Sequence, residues 1–589
     1  MEMIREKVST DALVIGSAIE AIAEEMGWVA WRSACSVTIT ASHDLSCTIF
    51  DNQLRQLAQP PHVPIHMGEF PAGVKSTIEA LGGLENLRDG DMTICNDPYL
   101  GNVPHLPDIQ FVSPVFYQGE LMFVAATTAH NVDIGGSAPG TFAWGSTDIF
   151  GDGLRIPPLK LYEEGKLVPQ ILDILFANVR APTDQKKDFY AQMAANEYAK
   201  KTLIKLLDKY GKDRVKRSIN EYLSYSEGRM RAEIENMPDG TFSGEVYLEG
   251  DGVTDEIINY TVAITIKGDN IHFDWTGSHP QVPGPINMPS CRTIGSAFVA
   301  LAMFIDPDVP QNYGRLAPAT FTLPEETVVN CTYPYATTCT HEAVGRAISA
   351  CIMALTKAMP EKGYGQDGWS NMDLGYGGYC ERTKRRFAHM HFGVHGYGAR
   401  ATKDGLDAKS NLHGGRIANA PDEILESRSS LRILKFTLIQ DSGGPGKFRG
   451  GLGTELDLEY TGNEVSKLVL GGDKIKIPPK GVFGGKNGKG GKYIIVSGGK
   501  EYEPKIKSTH FAFKGDVLKT FHAGGGGYGD PLERDPEKVK EDLLDGYISQ
   551  KSALGDYGVV VNIDTEKVDY ESTKQLRDKL RQERETIDK

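Results

Sequence analysis

Several things are scarce in this 589-residue chain, and each absence excludes something. No apolar run reaches the roughly 18 residues that a membrane-spanning helix needs. Basic residues do not dominate: 64 Lys and Arg stand against 78 Asp and Glu, a net charge of -14. That balance argues against nucleic acid and against an anionic membrane as partners. The eight cysteines include no C-x-x-C pair, a usage that fits a reduced, cytoplasmic protein. Met1-Glu2-Met3-Ile4-Arg5-Glu6-Lys7 has no apolar core behind basic residues, so no signal peptide is expected. Nucleotide motifs are missing as well. Gly446-Lys447 is followed by Phe448 rather than Ser or Thr, and no glycine stands five residues before Gly446. The phosphate-loop pattern therefore fails. Gly524, Gly526 and Gly529 match G-x-G-x-x-G only nominally, because they run into Asp530-Pro531 and open no helix.

Glycine is in excess, with 66 residues concentrated late in the chain. The late glycines are interleaved with aromatic and β-branched residues, which suits ordered, turn-dense structure rather than disorder. Spaced glycines without a side-chain wall suit closely packed extended or polyproline-like segments.

Along the chain, Ser9-Thr10-Asp11 offers caps for a first helix ending near Ser33, with Ile15, Ile19, Ile22, Met26 and Val29 on one face. Residues 36–58 alternate as a hairpin would, turning through Ala41-Ser42-His43-Asp44. Pro60 to Gly68 is set extended by its prolines, and a helix is expected from Gly73 to Leu87. Residues 165–236 are helical in pattern, broken at Gly211, and strands follow from Thr241 to Thr276. Later helices are expected over Thr293–Phe304, Glu342–Lys357 and Glu537–Gly546. The pattern divides the chain into residues 1–160, a helical 161–240, a β-rich 241–440 with helices, a glycine-rich 441–535 and a helical tail, 536–589.

The chemistry concentrates between Asn96 and Gly136. Pro98, Pro104 and Pro107 stiffen a loop that carries His105 and Asp108, and a second loop opens with His130 and carries Asp133. Strands over Ile109–Tyr117 and Glu120–Thr128 can form a hairpin turning at Gln118-Gly119. Their outer ends then lie about 5 Å apart across the pair, which brings His105 or Asp108 beside His130. A stiff loop presenting imidazole and carboxylate suits a metal ion, whereas a lone histidine is more often structural. Asp44 at its turn is a further candidate ligand, with capping of its own backbone as the plainer role.

Asn96–Asp108, His130–Gly136, Asn178-Val179-Arg180, Gly284-Pro285-Ile286-Asn287, Asp441–Gly453 and Gly524–Pro531 resemble, in this order, segments of the hydantoinase B family. These are the B-type subunits of ATP-dependent hydantoinases, 5-oxoprolinases and lactamases, with related subunits in acetone and acetophenone carboxylases. The resemblance implies that His105, Asp108 and His130 are the metal-binding and catalytic residues, and that Asp44 is a fourth ligand. It implies a partner subunit of the hydantoinase A type, with an actin/hexokinase-like ATP site that phosphorylates the substrate carbonyl. In a carboxylase a small third subunit would accompany the pair. It implies an α+β fold, predominantly β, with two sheets in a barrel-like arrangement, peripheral helices and a glycine-rich bundle of polyproline-like segments. A mixed His/carboxylate set suits a divalent ion, zinc or manganese before iron(II). The chemistry implied is opening of a hydantoin, oxoproline or other lactam. The alternatives are carboxylation of a ketone, or a non-catalytic scaffold with a structural metal. Thr340-His341-Glu342 departs from the text usual in this family after Tyr333-Pro334-Tyr335.

Overall fold

The computed structural model describes residues 8–369 and 374–587, so the expectation drawn from residues 1–7 lies outside the described part. Helix α1 (Thr10–Ser33) begins where the sequence places it, with the Ser9 hydroxyl accepting from the Ala12 amide. A seven-stranded antiparallel sheet follows, built from β1 (Leu45–Asp51), β2 (Gln56–Ala58), β3 (Met92–Cys95), β4 (Asp108–Tyr117), β5 (Glu120–His130), β6 (Leu159–Glu163) and β7 (Lys166–Leu167). Their spatial order is β2-β1-β5-β4-β3-β6-β7. The β4–β5 hairpin turns at Gln118 and Gly119, both in the left-handed region (φ 53° and 80°), the requirement of a type I′ turn.

Both faces of this sheet are covered, which explains why β1 is buried at every position instead of alternating. On one face Cys47, Ile49, Phe123 and Ala125 pack against Ile15, Ile19 and Met26 of α1. On the other, Phe50, Val112, Val124 and Ala126 pack against Phe70, Val74 and Ile78 of α2 (His66–Ala80). Each of the Ile, Val, Met and Phe side chains among these, fully buried, contributes roughly 1.5–3 kcal/mol.

Two long helices, α3 (Pro182–Tyr210) and α4 (Lys212–Glu235), follow and break at Gly211 as expected. A second open sheet of four strands then packs against α5 (Ser290–Ala302) and α6 (Thr340–Ala358). Two further sheets of four and five strands hold most of the remaining strands.

Four expectations are corrected. Residues Val37–Thr40 form a helical turn, not a strand, because the Ser36 hydroxyl caps the Ile39 amide; β1 pairs with β5 instead. The helix expected from Gly73 to Leu87 runs from His66 to Ala80, with Pro71 inside it. The fold is mixed rather than predominantly β, since helices hold more of the described residues than strands do. The sheets do not form a barrel: each is open, and β2 and β7 remain edges of the first.

The late glycines are buried between extended segments that bond through their backbones. Gly444 N–H donates to Gly525 O (2.7 Å), Gly525 to Gly451 (2.9 Å), Gly451 to Tyr397 (2.8 Å) and Gly526 to Gln366 (2.7 Å). A Cβ on Gly525 would sit 2.0 Å from the Tyr397 carbonyl oxygen, so no side chain fits between these strands of chain.

Candidate metal centre

The first sheet's register builds the site. Asp108 is directly opposite His130 in the β4–β5 pair, and β1 runs along the far side of β5 with Leu45 opposite Ala129. Asp44, one residue before Leu45, therefore lies next to His130, whose amide donates to the Asp44 carbonyl (3.2 Å). Three adjacent strands thus deliver Asp44, His130 and Asp108 to one end of the sheet. A turn closed by Asp108 N–H on His105 O (3.1 Å) brings His105 back over Asp108.

His105 Nε2 lies 3.1 Å from Asp108 Oδ2, and His130 Nδ1 lies 3.3 Å from Asp108 Oδ1. The ligand atoms of these three residues all fall within 4.8 Å of one another, the one such group among the described residues. Asp44 lines the same cavity but stands outside that converging trio. His62 is elsewhere, beside Trp31 and 3.2 Å from Glu24.

Neighbours fix the tautomers. His105 Nδ1 faces the Thr338 carbonyl (3.1 Å) and must donate to it, which leaves the Nε2 lone pair toward Asp108. Thr338 is itself held by its amide on Asp152 Oδ2 (3.0 Å). The Thr141 hydroxyl donates to Gly140 O (2.7 Å) and so accepts from His130 Nε2 (2.9 Å), leaving the Nδ1 lone pair toward Asp108. Burial pushes His105 down to about 4 despite the pull of Asp108, so its ring is neutral at pH 7. Two imidazole lone pairs thus face one carboxylate in a buried space, and His105 Nε2 makes no hydrogen bond. A cation placed among them converts that repulsion into ligation, so the residues present fit a divalent metal. Their partners hold the imidazoles as outer-sphere groups do in metal sites.

Around this trio stand groups that the sequence reading missed. His66, read as the end of an extended segment, is the first residue of α2; its Nδ1 meets Ser46 Oγ (2.8 Å) and its Nε2 lies 3.6 Å from Glu69 Oε2. Gly68 of α2 and Gly295 of α5 approach so closely that a Cβ on Gly68 would lie 2.5 Å from the Gly295 Cα. That contact lets Arg292 Nη1 donate to Glu69 Oε1 (2.7 Å), both residues being buried. Burial pushes Glu69 up to about 7, against the pull of Arg292, and pushes Asp44 up to about 6. His341 and His413 complete the polar wall, and Phe142 and Met390 belong to the apolar one. The remaining space, about 30 Å³, holds one water molecule or an ion. The spacing of His66 and Glu69, three apart, would have placed them on one helix face had the helix start been recognised.

The Hydantoinase B/oxoprolinase family model matches residues 10–531. The chain is 32% identical to a Pseudomonas sp. protein named as the B component of a D-/L-hydantoinase, over 96% of this chain and 97% of that one. It is also 32% identical to the beta chain of the caprolactamase of Pseudomonas jessenii, over 93% and 95% of the two chains. The crystal structure of the ATP-dependent caprolactamase from that organism superposes with a TM-score of 0.89 at 31% identity, covering 96% of this chain and 98% of that one. A nucleotide-free acetone carboxylase structure shares the fold, with a TM-score of 0.90 at 22% identity over 99% of this chain and 84% of that one.

Proposed function

Because the chain belongs to the hydantoinase B/oxoprolinase family, we propose that it is the metal-dependent subunit of an ATP-dependent complex that opens a cyclic amide such as a hydantoin, oxoproline or other lactam. The observation that carries this reading is the convergence of two imidazoles and one carboxylate, His105, His130 and Asp108, around a space of ionic size. In this reading they hold the metal, zinc or manganese, with Asp44 as a further oxygen. The relatives at 32% identity are named for ring amides, which favours hydrolysis over ketone carboxylation.

In this reading, following the family resemblance, ATP belongs to a partner of the hydantoinase A type, which phosphorylates the carbonyl oxygen, and the missing phosphate-loop and dinucleotide patterns in this chain support that. Water then adds to the carbon, the C–N bond breaks as the nitrogen takes a proton, and a second water hydrolyses the resulting acyl phosphate to carboxylate and phosphate. A bound divalent ion makes water a nucleophile near neutral pH. Arg292 lines the cavity with its Nε unpartnered, so it can donate toward negative charge that develops on the substrate oxygen. Glu69 pairs with Arg292 and keeps that guanidinium in place.

The test is co-expression with the ATP-binding partner and measurement of ATP turnover with lactams and hydantoins against ketones plus bicarbonate. Ring-dependent turnover that disappears with chelator supports the reading. Turnover with ketone and bicarbonate alone would replace it by a carboxylase, and no turnover with metal in place would leave a scaffold.

A further inference from the structure

The cavity wall carries a histidine outside the trio of converging ligand atoms. His341 is the second residue of α6, is 3% exposed, and neither of its ring nitrogens has a hydrogen-bond partner. Its ring is held by edge contacts, 4.6 Å from Phe142 and 6.2 Å from Trp144 between centroids. Burying an imidazole with both nitrogens unmet is costly, and such groups in folded proteins are met by a ligand, an ion or water. His341 lies outside the trio of converging ligand atoms, yet it lines the same cavity as Asp108 and Arg292.

The guest at His341 is constrained by charge and by size. Arg292, the one cation among the lining residues, is balanced by Glu69 and leaves only its Nε free to donate, so the cavity has no net positive charge to hold a carboxylate. Burial drives His341 well below its ordinary range and keeps its ring neutral, with one N–H donor and one lone pair. The space of about 30 Å³ takes no more than a water-sized group, so only one polar atom of a substrate can reach His341. A neutral polar group that alternates between donor and acceptor is the match.

We propose that His341 contacts the ring nitrogen of the amide being opened, an inference that rests on the cyclic-amide reading above. In one tautomer the imidazole accepts from the amide N–H. In the other it donates to the lone pair that this nitrogen carries once the carbonyl oxygen is phosphorylated and the N–H proton has left to solvent. A ketone offers no such nitrogen, so His341 is a specificity residue for ring amides over ketones.

The experiment compares wild type, His341→Gln and His341→Phe, each co-expressed with the ATP-binding partner. It reads ATP turnover on a lactam and on a hydantoin, together with metal content by elemental analysis. All three should hold equal metal. His341→Gln keeps a donor and an acceptor and should stay close to wild type, whereas His341→Phe, which keeps the ring contacts, should lose about 10–100-fold in kcat/KM. A ring that only fills space would give the opposite order. That opposite order, or metal loss in either variant, would overturn the inference alone. Turnover of ketone plus bicarbonate without ring opening would overturn the cyclic-amide reading, and this contact with it.

Discussion

Asp108 and His130 face each other as directly paired residues of one antiparallel hairpin, with His130 Nδ1 3.3 Å from Asp108 Oδ1. Because the pair closes the end of the hairpin, its separation is set by the strand spacing and not by a loop. Rigid strand ends of this kind suit a site whose ligand atoms must already be in place.

His105→Ala and His130→Ala should each lose stoichiometric metal and reduce turnover by at least about 10²-fold, the scale seen even for outer-sphere losses. They should also melt earlier once metal no longer offsets the crowded carboxylates. Assembly with the partner should survive. His62→Ala, whose ring pairs with Glu24 outside the cavity, should keep its metal. Elemental analysis and thermal melts check this, and full metal occupancy in His130→Ala would remove that residue from the ligand set.

Glu69 predicts a pH signature in metal-free protein. Its folded pKa, about 7, lies above the ordinary value of 4.5, so the folded state binds the extra proton. The contribution of this group is therefore favourable below pH 4.5 and is lost as pH rises toward 7. The stability of wild type relative to Glu69→Gln should fall across that window in denaturant titrations. A difference that is flat or rises with pH would contradict the assignment.

Breaking the buried pair from the other side should cost more. Arg292→Met leaves Glu69 without its cation in a buried site and should destabilise by about 3–5 kcal/mol, with the double variant Glu69→Gln/Arg292→Met recovering much of it. Chemical denaturation of the three variants gives the coupling directly.

The glycines should divide by environment. Gly525→Ala places a Cβ 2.0 Å from the Tyr397 oxygen and should cost more than the ~1–3 kcal/mol of ordinary overpacking, blocking soluble expression. Gly119→Ala meets no neighbour, but its φ of 80° should cost roughly 1–2 kcal/mol. Gly555→Ala meets neither obstacle and should stabilise by about 0.4–1 kcal/mol. Midpoints of unfolding for the soluble variants rank them.

ATP should not bind the isolated chain. The failed phosphate-loop pattern around Gly446-Lys447 motivates this. Micromolar affinity by calorimetry on the purified chain would refute it.

The sequence by itself determined whatever depends on neighbours along the chain. The Gln118-Gly119 turn and the apolar strands on either side specify the β4–β5 hairpin, and the hairpin alone puts Asp108 beside His130. Gly211 ends α3, and Ser9 starts α1, by the same local logic of backbone freedom and capping. The tertiary structure decided the rest. Whether Asp44 reaches the site depends on β1 pairing with β5 rather than with residues 37–40, a choice between near and distant partners that alternation does not encode. Arg292 meets Glu69 across 223 residues through the contact of Gly68 with Gly295, and His341 enters the cavity wall from α6. Such helix crossings are fixed by which surfaces pack best together, a property of the assembled core rather than of any one stretch of chain.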